Sequence, residues 1–190
     1  RAYPFYTLGA EAWDEAGVKP QEIADLNQDN IQGLSDLTEI AQSLKDFSRL
    51  DRASIDTLDV NSGLDKTLNI ARNIVKHKAE VRKFYGEIPN IECSPSKINQ
   101  VFLNLITNAA QAIEDRGEIV ISTKQLDDER ISVSIADTGC GMDEDTLARI
   151  FDPFFTTKFT GRGLGLAAVH GIVRGHEGGV RVESEPRVGT

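Results

Sequence analysis

Asn104 and Asn108 stand four residues apart in an otherwise apolar stretch, so on a helix they share one face. Carboxamides are costly to bury without partners, so the pair either bonds internally or turns toward a ligand. A Mg2+ ion shared with phosphates is the functional alternative, because Mg2+ takes one or two protein oxygens and lets phosphate oxygens complete its octahedron. Further along, Asp137-Thr138-Gly139-Cys140-Gly141-Met142 follows an alternating segment in which Ile131, Val133 and Ile135 point one way. That alternation is what a half-buried strand requires. An acid at the end of such a strand, then two glycines one residue apart, lets the backbone turn sharply and approach a ligand closely. Last, Gly161-Arg162-Gly163-Leu164-Gly165-Leu166 opens the apolar run 167–173. Glycines at a helix N-terminus leave unpaired N–H groups and a positive dipole end for an anion such as phosphate. The implied site holds a base at one end and a polyphosphate at the other.

The glycine run alone is weak evidence, since turns and helix caps use glycine too. It follows an aromatic and Thr-rich loop rather than a strand, and no ribose-binding acid stands at the required distance, which removes a Rossmann site. No G-x-x-x-x-G-K-[ST] occurs, which removes a Walker site.

The elements that must position these groups are legible in outline. The chain has 190 residues, 39% hydrophobic and 27% charged, enough for one full domain plus a smaller element. No apolar run of 18 residues exists, so no membrane contact by this segment is expected. The net charge of −9 argues against a nucleic-acid partner. Cys93 and Cys140 lack metal-ligand spacing, and the simplest setting is a reduced cytoplasmic one. Arg1 in place of Met suggests a fragment or a processed chain. Tyr3, Phe5, Tyr6 and Trp13 imply packing near the N-terminus, and Gly17 and Pro20 then punctuate the chain. From Pro20 to Arg52 the positions Ile23, Leu26, Leu34, Leu37, Ala41 and Leu44 trace a long amphipathic helix, widened by Ile31, Ile40 and Phe47. Such a helix wants a partner helix, in cis or across a dimer. A short strand is expected at Leu58–Val60. A helix capped by Asn61 or Ser62 follows, with Leu64, Leu68, Ala71, Ile74 and Val75 on its apolar face. Val81–Tyr85 reads as a strand, Ile88–Cys93 leads into another element, and Ser94-Pro95-Ser96 reads as a helix entry. The Ser96–Ile113 helix carries Ile98, Val101, Phe102, Leu105, Ile106, Ala109, Ala112 and Ile113 on one face. Ile119–Lys124 and Arg130–Ala136 predict an antiparallel hairpin, and Val180–Ser184 a last strand.

With these residues in view, the chain resembles a known family. N-L-I-T-N-A-A at 104–110, D-T-G-C-G-M at 137–142, F-D-P-F-F-T-T-K at 151–158 and G-R-G-L-G-L at 161–166 look like the N, G1, F and G2 boxes of sensor histidine kinases, in order and spacing. Roughly 58–190 resembles their catalytic domain, of the gyrase, Hsp90 and MutL ATP-binding superfamily. Leu44-Lys45-Asp46-Phe47-Ser48-Arg49 resembles the end of the second helix of the dimerisation and phosphotransfer hairpin. The resemblance implies an α+β class and a two-layer α/β sandwich, the Bergerat-type ATP-binding fold with a mixed sheet. It assigns 1–55 to a partial dimerisation region and 56–190 to the catalytic ATP-binding domain.

The resemblance also assigns residues. Asp137 accepts the adenine amino group, Gly141 shapes the base pocket beside Gly139 and Met142, and Asn108 ligates Mg2+ with Asn104 lining the phosphates. Gly161, Gly163 and Gly165 meet phosphates, with Arg162, Leu164 and Leu166 in the same turn. Phe151 to Lys158, including Thr157, form the approach of a short lid over Lys158–Gly161. Lys158 is a candidate partner of the γ-phosphate, and Thr190 a further contact to the base. The implied ligands are ATP or ADP with Mg2+. The implied partners are a second copy through a helical bundle and the receiver domain of a response regulator. Hydrolytic members of the superfamily place a glutamate where Asn104 stands, as a base that activates water; a carboxamide cannot take that proton. The site is therefore expected to keep the γ-phosphoryl for a histidine.

The chain departs from the pattern in three places. His77, His170 and His176 are the only histidines, and none lies in an H-[ED]-x-x-N-P phosphoacceptor box, so each is expected to be structural or on the surface. Gln111 stands three after Asn108, where other branches often carry lysine. The family's last strand would continue past Thr190. Two other functions remain open: a non-catalytic nucleotide-binding or dimerisation module, and an ATPase or serine kinase of the same superfamily. Asn104 disfavours the ATPase.

Overall fold

The computed structural model describes residues 54–158 and 163–190. All of them belong to the second of the two units into which the chain divides, Arg49–Thr190. The helix expected over 20–52, the aromatic N-terminus, and the lid with Gly161 and Arg162 lie outside the described residues.

Strand β1 is Asp56–Leu58, two residues before the expected position, because the chain turns into a helix at Asp59. Asp59, not Asn61 or Ser62, is the N-cap: its carboxylate accepts the Ser62 N–H at 3.0 Å, satisfying one of the helix's free donors. Helix α1, Val60–Val75, buries Val60, Leu64, Thr67, Ala71 and Val75. Ile74 does not join this face as expected; the helical turn carries it to the margin beside Ile70, where it is 45% exposed.

Strand β2 is Ala79–Tyr85, and β3, Ile91–Cys93, pairs antiparallel with β1. Helix α2, Pro95–Ala112, has Pro95 at its first turn, where a missing N–H costs nothing. It buries Val101, Phe102, Ile106, Ala109 and Ala110, while Ile98, Leu105 and Ala112 are half-buried. Strands β4, Gly117–Gln125, and β5, Ile131–Asp137, form the expected antiparallel hairpin, with Ile119 opposite Asp137. Strand β2 adds to β4 in parallel, giving a mixed sheet of order β2-β4-β5. Helix α3, Glu144–Leu147, was not foreseen; Asp143 caps it through the Thr146 N–H at 2.8 Å. Helix α4 is Gly165–Gly175.

The strand expected at Val180–Ser184 is not formed. Alternating valines there carry the pattern of a strand, but a strand needs a ladder partner, and none is present among the described residues. The segment ends instead in a turn closed by a Glu185–Gly189 bridge. Thr190 then meets the free edge of β5, exchanging backbone bonds with Asp137 at 2.8 and 3.3 Å.

Helix α2 packs between α1 and α4, and the core runs from Leu64 and Phe102 through Ile106 to Ile119, Ile121 and Val169. Val81, Val133 and Ile135 of the sheet pack against it. This is an α+β, two-layer sandwich of helices on a mixed sheet. A half-buried polar node ties α1, β4 and the residue after β2 together. Thr123 Oγ1 donates to Asn61 Oδ1 at 2.8 Å, and Asn61 Nδ2 donates to the Gly86 carbonyl at 3.1 Å. His176 is structural. Its Nε2 accepts the Ser94 N–H at 3.1 Å, so Nδ1 carries the proton and donates to the Ile172 carbonyl at 2.8 Å. His77 is exposed in the turn after α1.

Candidate nucleotide-binding site

Asn104, Asn108 and Gln111 fall at i, i+4 and i+7 on α2 and form one polar stripe along it. The stripe faces the N-terminus of α4. Asn104 Nδ2 donates to the Gly165 carbonyl at 3.3 Å, so this side chain pins the first residue of α4 to α2. Internal bonding therefore accounts for one end of Asn104. Helix α4 begins without a side-chain cap, Leu164 being its N-cap residue, which leaves its first N–H groups without a side-chain acceptor. A Cβ added at Gly165 would lie 3.8 Å from Asn104 and 3.9 Å from Asn108 Nδ2, ordinary contact distances, so α4's first residue faces the two carboxamides at close range. The dipole of α4 favours negative charge, such as phosphate oxygens, at this end. Leu166 is half-buried in the same first turn.

At the other end, Asp137 closes β5 with Oδ1 accepting the Gly139 N–H at 2.8 Å, which leaves Oδ2 for a ligand donor. Burial pushes its carboxyl up from the ordinary range; the Gly139 N–H, the Lys158 ammonium and the Thr190 N–H pull the other way. The loop after it is held from two sides. The Cys140 N–H donates to the Ala112 carbonyl at 3.0 Å, satisfying the C-terminal end of α2. Gly141, at φ 63°, lies against the turn 185–189, where a Cβ would come within 1.9 Å of the Glu185 carbonyl oxygen. Gly141 is thus needed for packing as well as for any base pocket. Met142 is half-buried beside it. Thr190 reaches this region by backbone pairing, and its hydroxyl is spent on Ser184. Ser184 Oγ donates to the Gly189 carbonyl at 3.0 Å, so Thr190 Oγ1 donates to Ser184 Oγ at 2.9 Å.

The 151–158 segment turns back over the stripe. Phe151 is half-buried, its ring 5.0 Å from that of His170. Arg149 stacks on Phe155 at 4.2 Å. Gly163, also at φ 63°, packs on the Phe154–Phe155 backbone, where a Cβ would meet atoms at 2.4 Å, so its glycine is required by the loop's own packing. Thr157 is exposed, whereas Lys158 points inward. Its Nζ donates to Gln111 Oε1 at 2.9 Å and to Asn108 Oδ1 at 3.4 Å. Burial pushes the ammonium down from its ordinary range, with Cys140 and Asp137 pulling it back.

The described part of the expected site thus gathers between α2, the end of β5, the 151–158 segment and the start of α4. Gln111 stood in the sequence only as a departure from a pattern; its i+7 spacing from Asn104 was the signal that placed it on the stripe. Ser184 carried no such signal, because nothing local ties it to Thr190.

Residues 93–190 match the family described as histidine kinase-, DNA gyrase B-, and HSP90-like ATPase. The chain is 35% identical over 161 residues to the signal transduction histidine-protein kinase AtoS of Escherichia coli (strain K12), covering 84% of this chain and 26% of that protein. It is 43% identical over 104 residues to sporulation kinase E of Bacillus subtilis (strain 168), covering 55% of this chain and 14% of that one. Among solved structures, full-length ShkA in complex with AMPPNP aligns with a TM-score of 0.75 at 25% identity, over 90% of this chain and 37% of that one. The mycobacterial sensor histidine kinase MprB aligns with a TM-score of 0.60 at 25% identity, over 65% of this chain and 81% of that one. The chain belongs to the histidine kinase-, DNA gyrase B- and HSP90-like ATPase family, and its described unit is a histidine-kinase-type ATP-binding domain. It spans 26% and 14% of the two curated relatives just named.

Proposed function

We propose that this chain is the ATP-binding kinase core of a two-component sensor histidine kinase, with residues 1–55 contributing part of a dimerising helical hairpin. The observation that carries it is the polar stripe of α2 facing the uncapped start of α4, with Lys158 on that stripe acting electrostatically on Asp137 at the end of β5. Asp137 Oδ2 is the acceptor for the adenine amino group. The α4 N–H groups, Gly163 and Gly165 receive phosphate oxygens, and Asn104 holds α4 in place while lining them. Gly161 and Arg162, outside the described residues, and Leu164 and Leu166 belong to the same phosphate-binding run by the family resemblance. Thr157 and Phe151 flank the approach, and Gly139, Met142 and Thr190 border the base.

Asn108 is the residue to hold Mg2+. Its Oδ1 already faces a cation, the Lys158 ammonium, so the oxygen is turned as metal ligation requires. One protein oxygen with phosphates suits Mg2+, which supplies charge neutralisation when it is bound. Asn104, Asn108, Gln111 and Lys158 offer no carboxylate beside the phosphates to take a proton from water. Bound ATP is therefore kept for a histidine nucleophile: an imidazole nitrogen bonds to the γ-phosphorus, and the β–γ bridging oxygen leaves with ADP. That acceptor belongs to the longer protein, which pairs with a second copy, passes the phosphoryl group to an aspartate on a separate response regulator, and works with its core in the cytoplasm. Among the described residues no helix is long and apolar enough to cross a membrane.

Calorimetry with ATP and Mg2+ on this chain and on Asp137→Asn tests the binding site. Binding is expected in the parent and lost in the variant, because the new amide N–H faces the adenine amino group as a second donor. Equal binding by both would refute the assignment of the base end. For the longer protein, labelled γ-phosphate should appear in an acid-labile, base-stable linkage on the protein; rapid release as free phosphate would favour an ATPase instead.

A further inference from the structure

Lys158 is anchored in a way that a solvated loop lysine is not. Its backbone N–H donates to Thr156 Oγ1 at 3.1 Å, and its half-buried side chain spans to α2. There the ammonium meets two carboxamide oxygens, Gln111 Oε1 and Asn108 Oδ1, and among the described residues it forms no ion pair. A half-buried cation whose two hydrogen-bond acceptors are neutral is costly to keep, and the Asp137 carboxylate, which forms no ion pair with it, relieves only part of that cost. That cost is offset when an anion enters, and an ammonium has three donors, of which two are used here. One of the two acceptors, Asn108 Oδ1, is the oxygen assigned above to Mg2+.

Resting on that nucleotide-site reading, we propose that Lys158, seated on Gln111, is the site's built-in cation: it holds Asn108 Oδ1 toward the phosphates, supports nucleotide binding without metal, and yields that oxygen when Mg2+ enters with the nucleotide. Gln111 is a positioning residue in this scheme. Its bond to Nζ is the shorter of the two, so the ammonium keeps its seat while Asn108 changes partners. A lysine at position 111 would repel Lys158; glutamine accepts it. The departure from the family pattern at 111 and the inward turn of Lys158 are then two halves of one arrangement.

The test is calorimetry of ADP and ATP binding in excess chelator and, separately, in saturating Mg2+, on the parent chain, Lys158→Met and Gln111→Ala. The parent should bind in both conditions. Loss of a charge-assisted bond should weaken binding by Lys158→Met about tenfold in chelator, with a clearly smaller loss in Mg2+. Gln111→Ala should show the same asymmetry at about threefold, as expected for a neutral acceptor. A structural role for either residue would lower affinity equally in both conditions, and that result overturns the proposal. So does a parent chain that binds in Mg2+ but not in chelator. A parent chain that binds in neither condition overturns the nucleotide-site reading itself, and is distinguishable for that reason.

Discussion

Gly165→Ala should change sign between the empty and the nucleotide-bound protein. The first residue of α4 is not in the left-handed region, and its added Cβ would meet nothing nearer than 3.8 Å, an ordinary contact. Replacing glycine there removes freedom from the unfolded chain and should stabilise the empty protein by about 0.5 kcal/mol. The methyl, however, stands between the α4 N–H groups and the Asn104 and Asn108 side chains, where phosphate oxygens are placed. A displaced phosphate should weaken ATP about tenfold, or about 1.4 kcal/mol. At ATP one hundred times the parent's dissociation constant, the ligand adds about 2.7 kcal/mol to the parent and about 1.4 kcal/mol to the variant. Denaturation curves should therefore cross: the variant is the more stable by about 0.5 kcal/mol without ATP and the less stable by about 0.8 kcal/mol with it. Urea unfolding with and without ATP and Mg2+ reads both numbers. Parallel curves would mean that phosphate does not pass between α4 and the carboxamides. A variant less stable without ATP would mean that the added methyl does not fit against Asn104 and Asn108.

Asp137→Asn should separate function from stability. The folded protein holds the Asp137 proton more tightly than the unfolded chain does, chiefly through burial, so this carboxyl subtracts stability as pH rises from its ordinary range through its raised folded value. Asparagine keeps the Gly139 bond without that penalty; the parent should fall relative to the variant across this window in melts at stepped pH, and a relative gain would contradict the burial argument. Gly141→Ala should cost about 2–4 kcal/mol, combining about 1 kcal/mol for a left-handed alanine with displacement of the 185–189 turn. Gly171→Ala on α4, with nothing within 4 Å of its Cβ, is the control and should be neutral or stabilising by up to about 1 kcal/mol in the same denaturation assay.

The sequence by itself determined the main elements that depend on neighbours a few residues apart. Helix α2 with Pro95 at its start, the β4–β5 hairpin, the placing of Asn104 and Asn108 on one face, and the glycines opening α4 are local patterns, written in periods of 3.6 and 2. Where a local competitor prevails, the boundary differs: Asp59 takes the cap, and β1 ends before it. Tertiary structure decided the rest, because the deciding partner lay far along the chain. The valine alternation at 180–184 has no ladder partner among the described residues and is irregular, and Thr190 joins β5 through Asp137 instead. His176 turned out to cap the chain at Ser94, 82 residues away. Gln111 became the seat of Lys158, 47 residues on, only because the loop after α3 folds back over α2. A period along one helix names the residues on its face; only the packing of a second segment against that face says what each of them holds.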